Sequence, residues 1–180
     1  AVTLEINVVG SANLFEAVRK TQISPVIQIA CSSEEYGLVL PNEVPVKETN
    51  PLRPLSPYGV SKLAMDYLGY QYHESYGLKI IRTRGFNHTG PRRGDVFAES
   101  NFAKQIAEIE KGKKATEVMV GNLDAERDYT DVRDMVKGYL LAANKGEPGE
   151  VYNICTGIAW KISKVLDYLI SLSKVKIKIK

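Results

Sequence analysis

Tyr58 and Lys62, in the run Tyr58-Gly-Val-Ser-Lys62, put a phenol and an ammonium four residues apart near the start of a helical stretch. On a helix that spacing sets both side chains on one face. An adjacent ammonium stabilises phenolate, so the pair predicts a tyrosine whose pKa is lowered toward a value useful for proton transfer. The spacing alone is a weak signal. With ten tyrosines and sixteen lysines in 180 residues, chance supplies about one such pair, and a lone Tyr/Lys pair is more often an ordinary helix surface.

Upstream, Ser32, Ser33 and Glu34 close a short apolar run. A hydroxyl at such a strand end can hold a carbonyl oxygen beside Tyr58. Without Tyr58, turn chemistry or a helix cap explains Ser32-Ser33 equally well. Glu34 reads either as a general base or as a solvated loop acid.

The elements that must position these groups alternate along the chain. Helical spacing covers 3–20, 58–76, 100–111, 131–144 and 161–173, while strand-like runs fall at Val26–Ala30, Leu78–Arg84, 117–120, 151–155 and 175–179. A Pro- and Asn-containing loop spans Leu40–Pro57. Strands alternating with helices predict βαβ units and a mainly parallel sheet, an α/β fold. Ligands of such sheets collect beyond the carboxyl ends of the strands, here Cys31–Glu34 and Gly85–Gly90. No G-x-G-x-x-G turn follows any strand. Either the chain does not bind a dinucleotide, or it is a fragment whose glycine-rich N-terminal unit lies elsewhere.

Composition narrows the class. The sequence is 44% hydrophobic and 25% charged, ordinary globular values, and long enough for a sizeable core. Its net charge of +3 owes much to Lys174, Lys176, Lys178 and Lys180. Alternation of these with Val175, Ile177 and Ile179 reads as a half-buried strand with a basic wet face. No aromatic residues or basic helix accompany them, so no nucleic-acid partner is expected. Cys31 and Cys155 sit in apolar runs and are expected to be reduced, buried thiols. There is neither a signal peptide nor an apolar stretch near 18 residues, so no membrane association and a cytoplasmic location are expected.

Several motifs occur in one order. Ile29-Ala-Cys-Ser-Ser-Glu-Glu-Tyr-Gly37 followed by Ser56-Pro-Tyr-Gly-Val-Ser-Lys62 resembles the extended short-chain dehydrogenase/reductase family. Arg84-Gly-Phe-Asn-His-Thr-Gly-Pro-Arg-Arg-Gly94 and Gly121-Asn-Leu-Asp-Ala-Glu-Arg-Asp128 are similar to its GDP-mannose branch. The likeness runs over essentially the whole chain. It implies the C-terminal part of an NAD(P)-binding Rossmann fold over 1–88, with a small α/β nucleotide-sugar-binding region over 89–180 and 130–156 packing back on the sheet. It implies NADP or NAD as cofactor, a GDP-sugar substrate and a homodimer.

By the same resemblance, Ser32 orients the sugar C4 oxygen, Tyr58 is its general acid/base, and Lys62 holds the nicotinamide ribose and keeps Tyr58 acidic. Asn7 matches the family's helix asparagine near the site. His88 and Arg93 fall at cofactor-contacting positions, and Ser33, Asn87, Lys104, Gly121, Asn122 and Arg127 at substrate-binding ones. For Arg127 a planar, permanently charged fork suits a diphosphate; the plainer alternative is a surface salt bridge with Asp124 or Asp131. No metal is implied. The implied reaction is reduction of the C4 ketone of a GDP-6-deoxy-4-keto-hexose, carried by the likeness of Ser32–Gly37, Asp131-Val-Arg-Asp134 and Val151–Gly157. The alternative is 4,6-dehydration of GDP-mannose, for which Glu34 is the family's glutamate and Pro91-Arg-Arg-Gly94 the family's turn. A further alternative is a catalytically silent fragment serving only nucleotide binding or self-association.

Overall fold

Helical spacing at the start of the chain is realised from Val2 to Thr21 in three pieces: α1 (Val2–Leu4), a π-helical segment over Glu5–Val9, and α2 (Gly10–Thr21). These belong to a computed structural model that describes residues 2–180. Phe15 and Val18, one turn apart on α2, are its buried residues. The helix stops at Gln22, whose φ of 55° lies in the left-handed region.

Next comes β1 (Val26–Ser32), and after a long loop α3 (Pro57–Tyr76), which leads to β2 (Lys79–Gly85). β1 and β2 run parallel with Ser32 opposite Gly85, so both strands end at the same edge. Parallel neighbours need a crossover, and α3 supplies it. Ser56 caps α3 by accepting the Gly59 N–H at 3.0 Å, Pro57 starts it, and Gly77 at φ 68° ends it. The helix lies tight on the sheet: a Cβ at Gly69 would sit 2.7 Å from Ile29 Cδ1 and 3.1 Å from Ile80 Cγ2. Phe15, Val18, Ile29, Cys31, Met65, Tyr72, Leu78 and Ile80 form the core on this side.

The second unit intervenes before the sheet is completed. It comprises His88–Val132 and Thr156–Lys180, while the first unit runs to Asn87 and resumes over Arg133–Cys155. In the second unit, β3 (Asn87–Thr89), α4 (Ala98–Glu110), β4 (Glu117–Val118) and β5 (Glu126–Asp131) lead to α5 (Val132–Lys145) and β6 (Val151–Ile154), which return to the first. β6 adds to β2 in parallel, giving the order β1-β2-β6. α5 covers the other sheet face, with Met135 and Tyr139 against Gly85 and Gly138 against Ile154. Helices on both faces of a parallel sheet make the first unit the α/β layer structure expected from the alternation.

The second unit is finished by β7 (Ala159–Lys161), α6 (Ile162–Ser171) and β8 (Lys178–Ile179). Its core is the α4–α6 contact, with Phe102, Ile106, Ile109, Val118, Ile162 and Leu166 buried. Strands order β3-β5-β7, with β5 and β7 antiparallel, and β4 pairs β8. Two expectations are corrected here. The C-terminal run pairs only at Lys178–Ile179 and is exposed on both sides except at Ser173 and Ile177, because β4 offers just two residues to pair with. Cys31 is buried, but Cys155 is exposed, since it lies beyond the last paired residue of β6. Among the described residues, no helix is long and apolar enough to cross a membrane.

Candidate active site

Ser32 is the last residue of β1 and is buried, and α3 begins beside it. The approach is close because residue 59 is glycine: a Cβ there would be 2.6 Å from the Glu34 carbonyl oxygen. Tyr58, in the first turn of α3, stands near enough to the Ser32 side chain for that hydroxyl to favour its phenolate, and it keeps 42% of its surface exposed. One turn on, the half-buried Lys62 donates from Nζ to the Ala30 carbonyl oxygen at 2.8 Å and stands 5.7 Å from the centre of the Tyr58 ring. Hydroxyl, phenol and ammonium therefore meet at the carboxyl end of the sheet.

The electrostatics differ from the simple expectation. Burial pushes the Tyr58 phenol above its usual value; the neighbouring Ser32 hydroxyl opposes this, while the charges of Glu34 and Glu35 add to it. Burial also pushes Lys62 downward, disfavouring its charged form. Glu34 is exposed, with its backbone N–H donated to Ser32 Oγ at 3.2 Å, and Ser33 is half-buried in the turn that follows β1. Asn7, in the π-helical segment, donates to Ser61 Oγ at 2.9 Å, and Ser61 donates to the Tyr58 carbonyl at 2.7 Å. The asparagine thus reaches the start of α3 through a buried serine rather than touching Tyr58. Single-turn π segments are frequent at functional sites.

Behind this edge lies a charged cluster that the sequence reading missed. Glu35 and Asp66 are fully buried, and Arg82 and Arg84 nearly so. Arg84 Nε lies 2.8 Å from Asp66 Oδ2 and 3.1 Å from Glu35 Oε2, and Arg82 Nη1 is 2.7 Å from Asp66 Oδ1. Arg84 also donates to the Tyr36 hydroxyl at 3.1 Å and the Glu48 carbonyl at 3.0 Å. The signal was present in β2: two arginines at alternate positions of a central strand need buried acids. Ligand atoms of Cys31, Glu35 and Asp66 lie within 4.8 Å of one another, but Arg84 supplies the cation between the carboxylates. A cavity of about 190 Å³ lined by Val18, Arg19, Tyr76 and Lys79 lies at the opposite, amino end of the strands and contains none of the predicted residues.

The remaining predicted residues sit on or beside the second unit. Asn87 opens β3, half-buried, with His88 next to it. Arg93 is paired with Glu99 at 2.7 Å and lies 3.6 Å over the Phe97 ring; its neighbour Arg92 has φ 72°, an uncommon backbone for a side-chain-bearing residue. Lys104 is exposed on α4 and paired with Asp95 at 2.5 Å. Gly121 and Asn122 form an exposed turn in which Asn122 Oδ1 accepts the Asp124 N–H at 2.9 Å. Arg127 is exposed on β5 and donates to the Glu126 carbonyl at 2.7 Å.

Over residues 1–180 the sequence matches the family described as GDP-mannose 4,6 dehydratase. The chain belongs to this family. The GDP-6-deoxy-D-mannose reductase of Pseudomonas aeruginosa is 36% identical over 179 residues, 99% of this chain and 59% of the relative. A GDP-mannose 4,6-dehydratase of Vibrio cholerae is 34% identical over 167 residues, 92% of this chain and 44% of that protein. RMD from Pseudomonas aeruginosa, solved in complex with NADPH, matches with a TM-score of 0.95 at 35% identity, over 98% of this chain and 60% of the other. The chain therefore spans less than two thirds of the relatives it matches. As a member of the GDP-mannose 4,6 dehydratase family it has the kinship that its motifs implied, and the α/β fold with a parallel sheet agrees with that of its structural relatives.

Proposed function

We propose that this chain provides the proton-transfer and substrate-gripping part of an NAD(P)-dependent enzyme that reduces the C4 ketone of a GDP-6-deoxy-4-keto-hexose. The convergence of Ser32, Tyr58 and Lys62 at one strand edge carries the reading. The donor set fits a nicotinamide dinucleotide. Lys62 uses one of its three N–H donors on Ala30, leaving two for ribose hydroxyls, and the Tyr58 phenol is accessible beside it. When bound, NAD(P)H supplies the hydride. Ser32 donates to the ketone oxygen and orients it, and Tyr58 gives that oxygen a proton as negative charge develops. Lys62 then stabilises the phenolate until a proton returns. His88 and Arg93 are assigned to the cofactor. Ser33, Asn87, Lys104, Gly121, Asn122 and Arg127 are assigned to the nucleotide sugar, Arg127 gripping its diphosphate. The division at Asn87 and His88 fits a nucleotide-sugar-binding second unit.

Support for reduction over dehydration comes from the Pseudomonas reductase, which aligns with 99% of this chain, against 92% for the Vibrio dehydratase. One observation favours the second reading: exposed Glu34 directly follows the Ser32–Ser33 pair, where an extra base for eliminating water is useful. Product analysis separates the two. The full-length protein is expected to oxidise NAD(P)H only with a GDP-6-deoxy-4-keto-hexose. Formation of a 4-keto-6-deoxy product from GDP-mannose alone refutes the reductase assignment and supports the dehydratase.

A further inference from the structure

The charged cluster behind Ser32 has a direct mechanical link to the site. Glu35 Oε1 accepts the Ser32 backbone N–H at 2.8 Å, while Ser32 Oγ accepts the Glu34 N–H at 3.2 Å, a capping box at the end of β1. Such boxes normally sit in solvent. Here the carboxyl is fully buried and continues inward, to Arg84 at 3.1 Å, whose same nitrogen holds Asp66 at 2.8 Å, and the Glu35 and Asp66 oxygens lie within 4.8 Å of each other. Two buried carboxyl groups this close disfavour ionising together, so one of them tends to hold a proton toward the other.

We propose that Glu35 is a positioning residue for Ser32: anchored by Arg84, which Asp66 holds in turn, it fixes the end of β1 so that the Ser32 hydroxyl faces the Tyr58 phenol. This rests on the reading of Ser32 and Tyr58 as partners on the substrate oxygen. Loss of the shared proton leaves two carboxylates around one Arg84 nitrogen and loosens the clamp. Burial, then the neighbouring Asp66, pushes the Glu35 carboxyl up to about 8, so the proton is retained at neutral pH. Every charge facing Glu35 bears on that step. Asp66 raises its pKa and Arg84 lowers it, Arg82 holds the far oxygen of Asp66, and Cys31, Tyr58 and Lys62 each sense the Glu35 charge.

The test uses the full-length protein with Glu35→Ala and Glu35→Gln, each in wild-type and Ser32→Ala backgrounds, with kcat and KM followed from about pH 6 to about pH 9.5. Glu35→Ala is expected to lower kcat roughly 30-fold with KM little changed, and to cost less than about threefold once Ser32 is already alanine. Glu35→Gln can accept from Ser32 and point N–H toward Asp66 as a protonated carboxyl would, giving up only the acceptor for Arg84 Nε, which keeps Asp66. It should keep kcat within about threefold at neutral pH and abolish the fall in kcat that the wild type shows as pH rises through about 8. Equal losses from Glu35→Ala in both backgrounds, or a Glu35→Gln enzyme that keeps the wild-type alkaline fall, overturn the proposal. Should Glu35→Ala fail to fold, the pH profile of Glu35→Gln decides alone. Wild-type turnover in Ser32→Ala by itself sinks the functional reading and this inference with it; loss of turnover there with additive Glu35 effects sinks only this inference.

Discussion

At the scale of the residue, Tyr58 is an acid whose proton is held more firmly than in water, because burial outweighs the help of the Ser32 hydroxyl. That suits a reduction, in which the phenol must be protonated when the ketone oxygen gains charge. Replacing it by phenylalanine removes the proton and one oxygen while leaving the ring. Tyr58→Phe is therefore expected to lower kcat by about 100-fold or more with KM changed only modestly. Steady-state kinetics on the full-length protein reads both, and wild-type turnover refutes the assigned role. Residue types carried this part of the site in the sequence: a phenol, an ammonium and a strand-end hydroxyl have few other uses in one motif. Glu35 did not stand out, because nothing local distinguishes a buried carboxyl from its exposed neighbour Glu34. Only the fold turns one inward to Arg84 and the other outward.

The elements set the geometry through two glycines of α3. Gly59 lets the first turn rest on the Glu34 carbonyl, and Gly69 lets the helix body settle on Ile29 and Ile80. Their loss should have different signatures. An alanine methyl at Gly69 meets apolar side chains in the core, so Gly69→Ala is expected to cost about 1–3 kcal/mol of stability by overpacking, with little change in kcat. Gly59→Ala drives its methyl onto backbone at 2.6 Å and must shift the Tyr58 turn away from Ser32. Its expected effect is a tenfold or larger loss of kcat, on the order of the misplacement penalty for a catalytic group. Urea unfolding and turnover of the two variants, measured side by side, check the contrast; matching profiles would count against it. Helical spacing revealed all five long helices in the sequence, including α3, because a 3.6-residue apolar period needs no distant partner. The strands β3, β5 and β7 were not legible. Glu126-Arg-Asp-Tyr-Thr-Asp131 has no apolar alternation, and its pairing with β7 depends on residues some thirty positions away.

For the molecule as a whole, the buried cluster makes stability respond to pH in a direction opposite to that of most carboxylates. Glu35 has its folded pKa raised from 4.5 to about 8. Between those values the folded chain keeps a proton that the unfolded chain releases, so this group's contribution is complete below about 4.5 and is lost as pH rises through about 8. The surface acids Glu16, Asp95, Glu108 and Glu110 act the other way. Their pKa values are lowered by Arg19, Lys104, Lys114 and the Lys174 backbone respectively. What they contribute is present above their ordinary pKa and is lost as pH falls, and solvent screening keeps it small. Glu35→Gln isolates the buried contribution, since the amide cannot ionise yet fills the same space between Ser32 and Asp66. Thermal unfolding of wild type and variant from about pH 5 to about pH 8.5 should show the wild type losing ground to Glu35→Gln steadily as pH rises. Parallel curves would mean that Glu35 carries its proton no differently in the folded and unfolded chains, and the shared proton with Asp66 would have to be abandoned.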